Sequence, residues 1–260
     1  MTTSQCTLPN GLACHCVDEA QVATLYREIF DRRCWLDRGL TLADGDFVVD
    51  AGANIGLSTL FFHLERPNLR FLCFEPAPVP FEALQRNVAQ HGIHAVCRPV
   101  ALGATAGDGV LTYYPRVAAM SSLRADPVAD ATITRTYLRN SGLTDEDACA
   151  LVPGDHEGMP VPCRIVRLAD EIGSAGLPRV DLLKVDVEKS ELDVLAGLDA
   201  STWPLVRQVA LEVHDADGVL DAVCHTLSNA GFAVQVRQDP LLSGTNIHDV
   251  AGIRPGGGRS

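Results

Sequence analysis

The stretch Asp50-Ala51-Gly52-Ala53-Asn54-Ile55-Gly56 follows an apolar run, Phe47-Val48-Val49, and precedes a helical repeat of Leu57, Leu60, Phe61 and Leu64. Strand, glycine turn and helix in that order open an α/β unit, and such units bind ligands where the strand ends. Gly52 lets backbone approach a bound molecule, and Gly56 lets the next helix pack tightly on the sheet. The spacing is Gly-x-x-x-Gly, with Asn54 where a dinucleotide fingerprint has its second glycine. Asp50 argues further against a pyrophosphate, because a carboxylate there repels phosphate and suits a cationic or hydroxyl-bearing ligand such as S-adenosylmethionine.

The next strand carries the partner that a lone turn lacks. Arg70-Phe71-Leu72-Cys73-Phe74 ends in Glu75-Pro76, which puts an acid at the strand's carboxyl end, 25 residues after Asp50. In doubly wound sheets that position binds ribose hydroxyls, and a carboxylate accepts two charge-assisted hydrogen bonds from a cis-diol.

Strands at 46–51, 70–75 and 94–101 with helices at 57–65 and 80–91 form a right-handed βαβαβ half. A further strand runs over 110–114. Residues 116–160 are irregular, with helices expected at 133–138 and from Thr144, whose hydroxyl with Asp147 resembles a capping box. So long a stretch between strands suits a lid or binding region. Strands resume at 161–168, 180–186 and 206–214. Leu192, Leu195 and Leu198 mark one helix, and Val219, Leu220, Val223 and Leu227 another. Runs at 232–236 and 247–253 close the pattern. The expected fold is α/β, a mostly parallel seven-stranded sheet with a C-terminal antiparallel hairpin. Residues 1–45 form a cap: Asn10-Gly11 favours a hairpin turn, and Val22, Leu25, Tyr26 and Ile29 follow helical spacing. The main domain is 46–253, and 254–260 are expected to be disordered.

A chain of 260 residues with 47% apolar content can bury one large core. Its net charge of −12 opposes nucleic acid and anionic membranes, leaving a small molecule as the expected partner. No apolar run reaches the ~18 residues of a membrane span, and no basic segment leads into an apolar one at the start, so a soluble cytoplasmic protein is expected. The nine cysteines are odd in number and scattered, which suits reduced thiols packed as small hydrophobes. Strand alternation sends Cys14 and Cys16 to one side and His15 to the other, so no zinc site is expected there.

A second group of ionisable residues stands at strand ends. Lys184, Asp186 and Glu188 are two apart and share a face while the chain stays extended, as do Glu212 and His214. On neighbouring strands these side chains would converge beside the glycine turn. Lys184 is expected to neutralise the acids, and Asp186 to lie under the ligand. His214 is the expected general base, since imidazole titrates near pH ~6.5, with Glu212 or Asp186 orienting it.

These residues together resemble the FkbM-type S-adenosylmethionine-dependent methyltransferases over about 8–253. The carriers are Asp50-Ala-Gly-Ala-Asn-Ile-Gly56, Phe74-Glu75-Pro76, Asn87, Val100-Ala101-Leu102-Gly103, Asp181-Leu-Leu-Lys-Val-Asp-Val-Glu188 with Glu191, and Glu212-Val-His214. Family members often have glycine after Asp-Val-Glu, whereas this chain has Lys189-Ser190. That form resembles a branch found beside polyketide and nonribosomal peptide assembly genes, as do Tyr114-Pro115-Arg116 and Gln238-Asp239-Pro240-Leu241-Leu242. The resemblance implies a Rossmann-like class I methyltransferase that O-methylates a hydroxyl of a natural product or sugar-like intermediate. Asp50, Gly52, Asn54, Gly56, Glu75, Ala101 and Asp186 would contact the cofactor, and His214, Asp186 and Glu212 would serve catalysis. A mechanistic alternative has Asp186, His214 and Asp215 hold Mg²⁺, which prefers hard oxygen ligands. A cofactor-binding protein without catalysis is a further alternative. A nicotinamide oxidoreductase would need Gly-x-Gly-x-x-Gly, which is absent.

Overall fold

The computed structural model of the chain describes residues 3–152, 154 and 156–256; the last part of the expected disordered tail, 257–260, lies outside the described residues. Its first turn is the one Asn10-Gly11 dictates. Gly11 takes φ +84°, the Leu8 N–H reaches the Leu12 carbonyl at 2.8 Å, and strands β1 (Ser4–Thr7) and β2 (Ala13–Cys16) pair antiparallel. Cys14 and Cys16 are buried in the core. The buried Asn87 amide ties this hairpin to the glycine turn: its Oδ1 accepts from the His15 N–H at 2.7 Å, and its Nδ2 donates to the Ile55 carbonyl at 2.8 Å. Helix α1 (Glu19–Tyr26), capped by Asp18, continues into a wider π turn over Arg27–Asp31.

The first half of the sheet follows. It comprises β3 (Phe47–Ala51), α2 (Leu57–Glu65), β4 (Arg70–Phe74), α3 (Pro78–Gln90) and β5 (Ala95–Arg98). Helix α3 begins two residues before its apolar spacing does, because Pro78 occupies a first-turn position that needs no N–H donor. Strand β5 ends earlier than 94–101 implies. Pro99 has no N–H to continue the ladder, and β6 (Ala101–Leu102) pairs instead with a second, three-stranded sheet.

That sheet has the order β6-β8-β7, with β7 (Gly107–Tyr113) antiparallel to β8 (Met159–Val166). The segment expected as the strand 161–168 therefore lies outside the main sheet. Between β7 and β8 the chain makes a 3₁₀ turn (Ala118–Met120), α4 (Pro127–Asn140) and α5 (Asp145–Leu151). Helix α4 is much longer than the 133–138 that apolar spacing suggests. Its start is set by polar chemistry: the Asp126 carboxylate accepts from the Val128 and Ala129 N–H groups, both at 3.1 Å, with Pro127 in the first turn. Thr144 caps α5 as anticipated, accepting from the Asp147 N–H at 3.1 Å.

The second half contributes α6 (Leu168–Ser174), β9 (Leu182–Val185), α7 (Glu191–Ala196), β10 (Gln208–His214), α8 (Val219–Asn229), β11 (Ala233–Arg237) and β12 (Ile247–Ile253). The seven-stranded sheet has the order β11-β12-β10-β9-β3-β4-β5, and β12 runs antiparallel to both neighbours. Successive residues of the central strands face opposite layers. Val48, Phe71 and Leu182 pack with α1, α2 and α3, while Val49, Leu72 and Leu183 pack with α6, α7 and α8. Both faces being covered explains why these strands read as continuous apolar runs. Each such side chain contributes about 1.5–3 kcal/mol by its burial. The strand order reverses at β3, which pairs with β4 on one side and β9 on the other. A crevice at that switch point is where open α/β sheets bind ligands. Among the described residues, no helix is long and apolar enough to cross a membrane.

Candidate active site

The glycine turn brings the protein's own chain close before any ligand. Gly52 has φ +73°, and a Cβ there would lie 1.7 Å from the Asp186 carbonyl oxygen. Its lack of a side chain joins the end of β3 to the loop after β9. Gly56, with φ +87°, faces Leu84 of α3, whose Cδ1 would stand 2.8 Å from an added Cβ. That close packing is helix against helix, not the helix-on-sheet contact expected. Asn54 also takes a left-handed φ of +49°. Its N–H donates to Glu75 Oε2 at 2.8 Å, and the Ala77 N–H donates to Oε1 at 2.8 Å. Burial pushes the Glu75 carboxyl up to about 7, against the pull of those two N–H donors.

Asp50 and Lys184 lie behind this surface. Asp50 is fully buried, accepting from the Thr59 hydroxyl at 2.7 Å and facing the Lys184 ammonium at 3.1 Å. Lys184 also reaches the Gly52 carbonyl at 2.7 Å and Asp186 Oδ2 at 3.4 Å. Burial alone would lower the ammonium's pKa, but Asp50 and Asp186 outweigh it and raise it. Lys184 thus neutralises the acids as anticipated, whereas Asp50 underpins the turn and stays out of the cavity lining.

His214 departs from the reading of it as a free base. Its ring is buried behind the cavity wall, with Nε2 facing Glu188 Oε2 at 3.1 Å and Nδ1 facing Glu191 Oε1 at 3.1 Å. Burial opposes a charged ring, yet the two carboxylates prevail and raise its pKa well above the ordinary value. An imidazole protonated on both nitrogens has no lone pair to accept a further proton. Glu212 and Asp186, by contrast, line the cavity. Burial first, and then the charges of Asp186, Glu188 and Asp249, hold the Glu212 carboxyl well above its usual range. Burial likewise raises Asp186, partly offset by Lys184. Asp215 is elsewhere. It accepts from the Leu220 N–H at 3.1 Å at the start of α8, so the trio of Asp186, His214 and Asp215 is not assembled. One ligand atom each from Glu188, Glu212 and His214 does come together, all within 4.8 Å of one another.

The cavity above these residues measures about 750 Å³, toward the upper end of the roughly 300–1,000 Å³ usual for ligand clefts. Glu75, Pro76, Val100, Ala101 and Leu102 line one part, with Gly52, Ala53 and Asn54 beneath. The rest of the wall is drawn from α1, the π turn, the 118–120 turn, α4 and the 239–247 segment, with Leu25, Ile29, Met120, Ile133 and Leu242 as its apolar part. Glu28 on this wall was invisible to sequence periodicity, because the π turn adds a residue to the helical repeat and re-aims the side chain. Burial raises its pKa, and the neighbouring Tyr137 hydroxyl of α4 opposes that rise. Glu191 stood in a recognisable motif, but only the fold shows its carboxylate against His214.

A seven-stranded sheet whose order reverses at β3 and whose β12 runs antiparallel between β10 and β11, with a crevice at the reversal, is a class I methyltransferase fold. Residues 50–234 match the Methyltransferase FkbM domain. The chain is 44% identical over 251 residues to the 31-O-demethyl-FK506 methyltransferase FkbM of Streptomyces tacrolimicus, covering 96% of each. It is 35% identical over 220 residues to Methyltransferase 1 of Beauveria bassiana, covering 84% of each. Methyltransferase FkbM from Methylobacillus flagellatus KT, a crystal structure, superposes with a TM-score of 0.52 at 15% identity, over 90% of this chain and 55% of that one. The chain therefore spans about half the length of that structure. It belongs to the FkbM methyltransferase family, and it is a methyltransferase.

Proposed function

We propose that this enzyme uses S-adenosylmethionine to methylate a hydroxyl of a small-molecule natural product, with Glu212 as proton acceptor. The observation that carries the reading is one cavity lined by both Glu75 and the acid group of Asp186, Glu188 and Glu212. The donor set fits such a cofactor. Glu75 would accept from ribose hydroxyls, Val100, Ala101 and Leu102 would flank a flat base, and the acids would favour a cation. Asn54 Oδ1 is buried with no hydrogen-bond partner among the described residues, which suits an ammonium donor. When bound, the cofactor supplies an electrophilic methyl group. The 31-O-demethyl-FK506 named for the Streptomyces relative supports an oxygen acceptor on a natural product.

The chain's own work is then positioning and proton removal. In-line displacement needs the acceptor oxygen about 3 Å from the methyl carbon and on axis. The apolar wall of Ile29, Met120, Ile133 and Leu242 would hold the acceptor. Glu212 lines the cavity and in its ionised form would accept the hydroxyl proton; because burial and Asp186 raise its pKa, that form, a stronger base than an ordinary carboxylate, gains population as pH rises. His214, held between Glu188 and Glu191, would fix the acid group's charge and geometry.

The test is transfer of a labelled methyl group to hydroxyl-bearing pathway intermediates. Glu212→Gln should lower kcat about 10²-fold, the lower end for losing a general base, while adenosylhomocysteine affinity stays unchanged. Label appearing only on nitrogen or carbon acceptors would overturn the reading. A second reading keeps the chemistry but puts Mg²⁺ on Glu188, Glu212 and His214, favoured by their convergence and by Glu191 behind the imidazole, the carboxylate–histidine arrangement common at metal sites. Turnover surviving exhaustive chelation would exclude it.

Glu75 gives the cofactor site a pH dependence. Its carboxyl is raised to about 7, and hydroxyl donors favour the ionised form. Adenosylhomocysteine should therefore bind more tightly as pH rises through about 7, releasing protons on binding at neutral pH. Calorimetry in buffers of different ionisation enthalpy reads that release, and Glu75→Gln should abolish it.

A further inference from the structure

We propose that Lys189 is a positioning residue for methyl transfer: its ammonium grips the buried Asp130 of α4 and docks the insertion onto the 186–190 loop, which presents Glu188 to the cavity. This rests on the reading of the cavity as the methyl-transfer site. Glu188 and Lys189 have φ of +52° and +74°. Two consecutive residues with side chains hold that left-handed backbone only where their surroundings compel it.

The compulsion comes from the insertion on one side and α7 with β10 on the other. Lys189 Nζ pairs with Asp130 Oδ1. The other Asp130 oxygen accepts the Tyr114 hydroxyl at 2.9 Å and the Asp126 N–H at 3.2 Å. Ser122 Oγ donates to the Glu188 carbonyl. From below, the Lys189 N–H donates to Glu191 Oε1 at 2.8 Å, the same atom that faces His214 Nδ1 at 3.1 Å. Glu188 is thus held by its carbonyl from above and its carboxylate from below, and Lys189 links the two. A second ion pair, Arg124 with Asp193 at 2.7 Å, also joins the insertion to α7, but its arginine side chain is 59% exposed. Asp130 and Lys189 are 2% and 16% exposed, so salt and water screen their attraction far less.

Lys189→Gly removes the ammonium at a backbone angle that glycine adopts freely. Glu188 should then lose its fixed place, and kcat for the acceptor should fall about 10²-fold, the cost of a roughly 1 Å misplacement. Adenosylhomocysteine affinity should hold, amide exchange over 118–140 should quicken, and Lys189→Arg should restore part of kcat. Wild-type kcat with unchanged exchange would overturn the proposal. So would a loss of activity that merely tracks the melting temperature and that arginine does not relieve. Should the unpaired Asp130 charge prevent folding, the K189G/D130N double variant removes it and should fold with the same loss; full activity there also overturns the proposal. A wild-type enzyme that binds adenosylhomocysteine yet methylates no acceptor would refute the site reading instead, and the exchange comparison would still decide whether Lys189 docks the insertion.

Discussion

Gly52→Ala should destabilise the protein by about 4–5 kcal/mol, the range reserved for a severe local conflict. Two costs add. The residue has φ +73°, and left-handed backbone strains a residue with a side chain by about 1–3 kcal/mol. The new methyl would also stand 1.7 Å from the Asp186 carbonyl oxygen, so β3 and the loop after β9 would have to part. Backbone cannot swing aside as a side-chain tip can. Urea unfolding reads the effect, and a loss below about 1 kcal/mol, the centre of the range for point substitutions in general, would refute the assigned contact. Gly56→Ala should cost less, since the atom it meets is the movable Leu84 Cδ1.

Lys184→Met should cost about 3–5 kcal/mol, because it strands a buried charge without its partner. Among the described residues, Asp50 would keep only the Thr59 hydroxyl at 2.7 Å, having lost the ammonium at 3.1 Å. The Gly52 carbonyl, which now accepts from Lys184 at 2.7 Å, would lose that donor as well. Adding Asp50→Asn to Lys184→Met removes the stranded charge and should recover most of the loss, since buried pairs replaced together are often neutral. A Lys184→Met protein as stable as wild type would show that the ammonium does not compensate Asp50.

The sheet was legible because its strands are buried on both faces and punctuated by turn residues. Asp50, Glu75 and Asp186 could be placed at strand ends for the same reason. Period-two spacing put Glu212 and His214 on one face, but spacing cannot say what approaches that face from another segment. Glu188 and Glu191 arrive there through a left-handed turn, and they convert an expected base into a held charge. Glu28 was hidden by the π turn and α4 by a start set in polar residues; apolar periodicity reports neither. Pro99 was readable as a break in the ladder, but the move of Ala101 and Leu102 into another sheet depends on Ile165 and Val166, more than sixty residues away.

The apolar wall of the cavity is a mosaic. Arg32 at the end of the π turn pairs with Asp239 near the carboxyl end, the Asn140 amide donates to the Leu241 and Ser243 carbonyls at 2.8 and 2.9 Å, and the Gln21 amide donates to the Arg116 carbonyl at 2.6 Å. Under the proposed function, acceptor choice is a shared property of three stretches far apart in the sequence. Grafting the 116–160 insertion alone onto a related enzyme would carry over one panel of the chamber without its seams. On that reading, re-engineering this enzyme toward a new acceptor calls for exchanging the three panels as a set.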